Sequence, residues 1–158
     1  MSYRALVITV STRTAAGVWQ DTSGPILVAG LQQLGLVVEG PVVVADGDPV
    51  GAALRAGIDS GFDLIMTTGG TGLSPTDHTP EQTASLLDRQ IPGLPEAIRA
   101  QGIAAGIPNA SLSRGLAGLA GNTLVINAPG SAGGARDAVV ALEPTLLHAL
   151  DQISGGQH

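Results

Sequence analysis

Residues 63–83 read DLIMTTGGTGLSPTDHTPEQT. The stretch opens on an apolar run without polar alternation, the pattern of a strand buried on both faces. Glycines and threonines follow at once, then a lone carboxylate, Asp77. Thr79, Pro80 and Gln82 come next and read as a cap, a first-turn proline and a capping-box acceptor. A strand over 63–68 and a helix from Pro80 to Arg89 are therefore predicted, joined by a glycine loop at the strand's carboxyl end.

The same grammar extends in both directions. Residues 5–11 form a β-branched apolar run, and a polar loop spans 12–22. Ser23, Gly24 and Pro25 open a helix over 25–34 that Gly35 ends. A second strand over 36–45 is interrupted by Gly40 and Pro41 and stops at Asp46, Gly47 and Asp48. Asp48 and Pro49 open a helix carrying Val50, Ala53, Leu54 and Ile58 at helical spacing up to Gly61. The order βαβαβ predicts a mostly parallel sheet with right-handed crossovers. Beyond the quoted stretch, prolines break the chain over 92–95, and a short helix is expected over 96–105. Strands over 114–119 and 123–127 flank a turn at Gly121 and Asn122. A second glycine-rich loop, 128–134, feeds a last helix ending near Ile153. A single domain over 1–153 with a disordered tail over 154–158 is the expected organisation.

Composition narrows the function. The 158 residues are 44% hydrophobic but only 2% aromatic, so the core must be aliphatic. Net charge is -6 and the seven basic residues, all arginine, form no cluster, which argues against a nucleic-acid surface. No cysteine is present, which excludes disulfides, thiolate metal sites and cysteine nucleophiles. No apolar run reaches membrane-spanning length and the first residues resemble a strand more than a signal peptide, so a cytoplasmic protein without a membrane partner is expected.

In an open parallel sheet, ligands bind where loops leave the carboxyl ends of strands. Gly69, Gly70 and Gly72 let backbone approach a ligand closely, and Thr67, Thr68 and Thr71 add hydroxyls, a set suited to an anion. A plain strand-to-helix turn is the competing reading of the glycines. No lysine follows them and the spacing is not the dinucleotide fingerprint, so neither familiar nucleotide motif applies. Asp77 would repel a phosphate unless a cation stood between them, and Asp46 falls at the same sheet edge as a possible second ligand. Each aspartate alone also suits a turn or cap. Residues 127–131 repeat strand, proline, glycine, hydroxyl and helix start. His78 reads as a proton donor or an exposed loop residue, and Trp19 as a stacking platform or a packing group.

Taken in order, these motifs resemble the MoaB/Mog family of molybdenum cofactor biosynthesis, which includes the gephyrin G domain. The resemblance is carried by Val10-Ser11, Asp21 with Ser23-Gly24, Ala45-Asp46, the run from Thr68 to Gly72, Asp77, Thr79-Pro80-Glu81, Pro92-Gly93, Ser113-Arg114 and the run from Asn127 to Ser131. It implies a three-layer α/β/α fold with a mostly parallel sheet, a homotrimer, and transfer of AMP from MgATP to the terminal phosphate of molybdopterin, with pyrophosphate released. Asp46 and Asp77 align with the family's two essential carboxylates and would hold Mg²⁺. Ser11, Gly69, Gly70, Thr71, Gly72, Ser113, Asn127, Pro129, Gly130 and Ser131 fall where the family binds substrate. A molybdenum insertase enzyme is the implied partner. The alternative within the family is a non-catalytic molybdopterin carrier. The chain departs from the family pattern at Thr12, where aspartate is common, at Ala45 and Gly47 around Asp46, and after Ser131, where a proline is often found.

Overall fold

The computed structural model describes residues 2–156. A six-stranded sheet runs in the order β2-β1-β3-β6-β5-β4. Its parallel members are β1 (Arg4–Val10), β2 (Val37–Val44), β3 (Leu64–Thr68) and β6 (Thr123–Ala128). β5 (Ala117–Ala120) and β4 (Arg89–Gln90) close one edge in antiparallel pairing. The helices are α1 (Thr12–Ala15), α2 (Ser23–Gln33), α3 (Asp48–Asp59), α4 (Thr79–Ala84), α5 (Gly93–Ala104), α6 (Ala132–Leu142) and α7 (Leu146–Ile153), with a 3₁₀ turn over Pro108–Leu112.

Side chains along a strand alternate between faces, and the core divides accordingly. Ala5, Val7, Leu64, Met66, Leu124 and Ile126 meet α2, α5, α6 and α7 in one aliphatic layer. Leu6, Ile8, Ile65 and Val125 meet Val50 and Leu54 of α3, together with Leu86 and Leu87 after α4, in the other. This is the expected three-layer α/β/α arrangement. Each fully buried Leu or Ile contributes about 1.5–3 kcal/mol, so aliphatic burial on both faces replaces the missing aromatics.

Several boundaries differ from expectation for local reasons. The loop after β1 contains one helical turn, because the Ser11 hydroxyl accepts from the Thr14 N–H at 3.2 Å. α2 begins at Ser23, but its amide cap is Asp21, whose carboxylate accepts from Gly24 N at 3.0 Å and Thr9 Oγ1 at 2.8 Å. α4 stops at Ala84, short of the predicted Arg89. Leu86 and Leu87 turn into the core, and Asp88 N donates to Leu119 O at 2.7 Å as the chain joins the sheet edge. α5 begins at Gly93, because Pro95 lies in its first turn, where its missing N–H costs little. The final helix is two, since Pro144 interrupts the hydrogen-bond ladder between α6 and α7. Of the expected tail, Ser154, Gly155 and Gly156 donate backbone N–H to Leu150, Gln152 and Asp151; residues 157–158 lie outside the described residues.

Candidate active site

The carboxyl ends of β1, β2, β3 and β6 deliver four loops to one edge of the sheet, where two hollows flank a shared wall. The first, about 400 Å³, is lined by Thr71, Gly72, Ser113, Pro129 and Ser131, with Ile98, Ile107 and Leu112 from α5 and the following 3₁₀ turn. The second, about 530 Å³, is rich in hydroxyls, Ser11, Thr12, Thr14 and Thr22 among them, together with Gly69, Asp21, Asp46, Arg13 and Trp19. Gly70, Asp77 and Gly130 line both. Among the residues expected to bind substrate, only Asn127 stays out of both linings.

Asn127 is 2% exposed and fully committed inside the protein. Its Nδ2 donates to Thr67 Oγ1 and Thr83 Oγ1, both at 3.0 Å, and its Oδ1 accepts from Leu116 N at 3.0 Å. Its side chain ties β3, α4 and the approach to β5 together beneath the site. Ser131, although it lines a hollow, caps α6 by accepting from Gly134 N at 2.9 Å.

The glycine loop is sterically required. Gly69 has φ +104°, and a Cβ there would stand 2.2 Å from Val10 O. Gly70 has φ +69°, and its Cβ would stand 2.2 Å from Thr79 Oγ1 and 2.7 Å from Asp46 Oδ1. Both conformations lie where a side chain is strained. Thr68 Oγ1 donates to Pro129 O at 2.7 Å, holding the two glycine loops side by side.

Asp46 follows β2. Its N–H donates to Thr12 Oγ1 at 3.1 Å, and that hydroxyl donates to Asp46 Oδ2 at 3.4 Å. The other oxygen, Oδ1, is buried without a partner, as is Thr79 Oγ1. Burial, and then the nearby Asp77 charge, push the Asp46 carboxyl above its ordinary range, against a lowering contribution from Thr12. Thr79 was expected to cap α4 and Gln82 to complete a capping box. Instead Thr79 Oγ1 faces the Gly70 loop, and Gln82 Nε2 reaches Asp48 Oδ1 at 3.4 Å.

Asp77 sits in a tight turn, its Oδ2 accepting from Ser74 N at 3.0 Å. The turn is gripped by Arg114, a residue whose role its position in the sequence does not reveal. Nε donates to Gly72 O at 2.8 Å and a terminal nitrogen to Asp77 O at 2.9 Å. The same fork pairs with Glu81 at 2.7 and 3.2 Å, which draws the Glu81 carboxyl below its ordinary value. The backbone adds Arg114 N to Thr71 O at 2.8 Å. The side-chain partners lie 33 to 42 residues away in sequence, so only folding reveals them. A planar fork suits this task, since it meets carbonyls and a carboxylate in fixed directions.

A sequence profile described as "Probable molybdopterin binding domain" matches residues 6–148. The chain belongs to this family. It is 38% identical over 157 residues to the molybdenum cofactor biosynthesis bifunctional protein of Chlorobaculum tepidum, a match covering 98% of this chain and 50% of that protein. It thus spans about half the length of that relative. The molybdopterin adenylyltransferase of Helicobacter pylori strain J99 is 32% identical over 153 residues, covering 94% of this chain and 86% of the enzyme. The solved structure of the molybdopterin biosynthesis Mog protein from Mycobacterium ulcerans superposes with a TM-score of 0.91 at 51% identity, covering 96% of this chain and 99% of that one. Within the molybdopterin-binding family, then, this chain has the full fold, with the paired hollows at its carboxyl edge. No helix among the described residues is long and apolar enough to cross a membrane.

Proposed function

We propose that this chain is a molybdopterin adenylyltransferase. An oxygen of the terminal phosphate of molybdopterin attacks the α-phosphorus of ATP, the bond between the α-phosphorus and the bridging oxygen breaks, and pyrophosphate leaves. The observation that carries the reading is the shared wall of Gly70, Asp77 and Gly130, where two hollows meet. Two ligands seated one per hollow would bring their phosphates together there, and positioning of this kind supplies much of the acceleration in phosphoryl chemistry. No protein nucleophile is required, in keeping with a chain lacking cysteine and lysine.

The residues present fit a magnesium ion. Mg²⁺ is commonly held by one or two carboxylates together with substrate phosphates, so the absence of any larger cluster of ligating side chains among the described residues is no obstacle. The buried, unpartnered Asp46 Oδ1 is an oxygen in want of a cation or donor. Asp46 and Asp77 would hold the ion, and it would supply neutralisation of charge on the α-phosphate and the departing pyrophosphate. The protein's own contribution is positional: Arg114 fixes the turn bearing Asp77, Thr12 fixes Asp46, and the glycines keep the wall thin. A homotrimer in the cytoplasm that passes its product to a molybdenum insertase enzyme belongs to the same reading.

The test is AMP incorporation into freshly prepared molybdopterin with MgATP, comparing the native chain with Asp77→Asn. Product and pyrophosphate should form and fall at least about a hundredfold in the variant. Molybdopterin binding without AMP transfer, where a known family enzyme turns over, would leave a carrier.

A further inference from the structure

Among the described residues, two buried side-chain atoms have no hydrogen-bond partner, Asp46 Oδ1 and Thr79 Oγ1. They face the same spot: a Cβ on Gly70 would collide with both, so the space between them is open only because residue 70 has no side chain. Thr79 is wholly buried, and its N–H donates to Gly70 O at 3.1 Å, which pins the start of α4 to the glycine loop. Its hydroxyl makes neither of the bonds open to a threonine at a helix start, capping no amide of α4 and meeting no carbonyl. A buried hydroxyl without a partner is costly, and the atom it needs stands across the gap. The hydroxyl can donate, and an ionised carboxylate only accepts.

We propose that Thr79 is a positioning residue for Asp46. Its O–H is directed at Oδ1 past the Cα of Gly70, at contact or through one enclosed water, and supplies the donor that this oxygen otherwise lacks. Thr12 holds the other side of the same residue, at Oδ2 and at the backbone N–H. Gripped from both sides, the carboxyl plane is fixed. Oδ1 is shut away in the protein, which leaves Oδ2 as the oxygen that Asp46 can present to the second hollow. Thr79 itself lines neither hollow and acts through Asp46. By placing Oδ2 it serves the cation of the adenylyltransferase reading, on which this functional role rests; partners that orient a ligating carboxylate matter to the metal nearly as much as the ligand does.

A stability cycle on the full chain tests the contact without any ligand. Thr79→Val keeps the shape and removes the donor, and should raise the unfolding equilibrium constant about tenfold by stranding a buried carboxylate oxygen. In an Asp46→Ala background the same change should be neutral or stabilising, because a methyl then replaces a hydroxyl with nothing to meet. An equal effect in both backgrounds overturns the contact; a Thr79→Val chain that folds only in the Asp46→Ala background supports it. Turnover tests the consequence. The Mg²⁺ concentration giving half-maximal AMP transfer should rise about tenfold in Thr79→Val and return to the native value in Thr79→Ser, which keeps the hydroxyl. Calorimetric affinity for the non-hydrolysable α,β-methylene ATP without metal should stay within about twofold in both. Coupling in the stability cycle with an unmoved Mg²⁺ requirement would make Thr79 structural only and overturn the positioning role. If the native chain transfers no AMP, the adenylyltransferase reading fails, and the cycle still decides whether Thr79 holds Asp46.

Discussion

Replacing Asn127 by alanine separates the two roles open to it. The substitution removes two donated bonds, to Thr67 and Thr83, and one accepted from Leu116 N, each at 3.0 Å. Neutral hydrogen bonds of this kind contribute about 1 kcal/mol each, and an N–H left without an acceptor costs about 1–3 kcal/mol more. Thr67 and Thr83 are wholly buried, so water cannot freely replace the amide. A loss of about 4–6 kcal/mol follows, against a total stability of about 5–15 kcal/mol for a domain of this kind. The variant should still fold, but with a urea midpoint lower by about 2 M at an ordinary denaturant slope. Thr83→Val removes one of the three bonds, and the double variant should lose less than the sum of the singles, because the two side chains share a bond. A stability loss below about 1 kcal/mol, accompanied by lost substrate affinity, would refute the structural role and favour Asn127 as a substrate contact.

Gly70→Ala forces a side chain into a left-handed backbone and between Thr79 Oγ1 and Asp46 Oδ1. It should cost about 2–4 kcal/mol in a denaturation curve and abolish AMP transfer; a native-like midpoint would contradict the crowding. Arg114→Lys keeps the charge but loses the planar fork on Gly72 O, Asp77 O and Glu81, so turnover should fall several-fold more than nucleotide affinity does. Unchanged turnover would remove Arg114 from the positioning of Asp77. Burial and the Asp77 charge raise the Asp46 carboxyl above 3.8, so the folded state holds that proton more tightly than the unfolded state. The resulting stabilisation is complete below the unfolded value and is lost as pH rises through the folded one. Asp46→Asn should therefore be more stable than the native chain at pH 7, with the gap closing below about pH 4, and a pH-independent difference in urea midpoint would reject this.

The parallel sheet was legible because β1 and β3 are near-continuous apolar runs, and even β2, interrupted by Glu39, Gly40 and Pro41, keeps valines on both sides of the break. What escaped were features set by distant partners. The edge strand Arg89–Gln90 has no pattern of its own and exists because β5 offers it a ladder. The helix preceding it ends early for the same reason. At the candidate site, the glycine loop could be read from residue type, since Gly69 and Gly70 take positive φ values that a side chain rarely adopts. The buried bonds of Asn127 were not legible, because an amide at a strand end looks alike whether it faces solvent or the core. Thr12 appeared only as a departure from the family pattern, yet its hydroxyl is what holds Asp46.

The electrostatics of the shared wall impose a condition on any phosphate ligand. The chain has net charge -6 and sets Asp46 and Asp77 beside the place where the phosphates would meet. Arg114 cannot offset them, because its fork is occupied by Glu81 and two carbonyls. Two like charges about 4 Å apart repel by about 4 kcal/mol at a surface-like effective dielectric, more than a few amides and hydroxyls return. The carboxylates therefore oppose a bare polyphosphate and favour one that arrives with a divalent cation. A change of sign follows for Asp77→Asn. Without Mg²⁺ the variant should bind the non-hydrolysable nucleotide more tightly than the native chain, and with Mg²⁺ more weakly. A general base would show no such reversal, and neither would a purely structural turn residue, so weaker binding under both conditions would exclude a metal-holding role for Asp77.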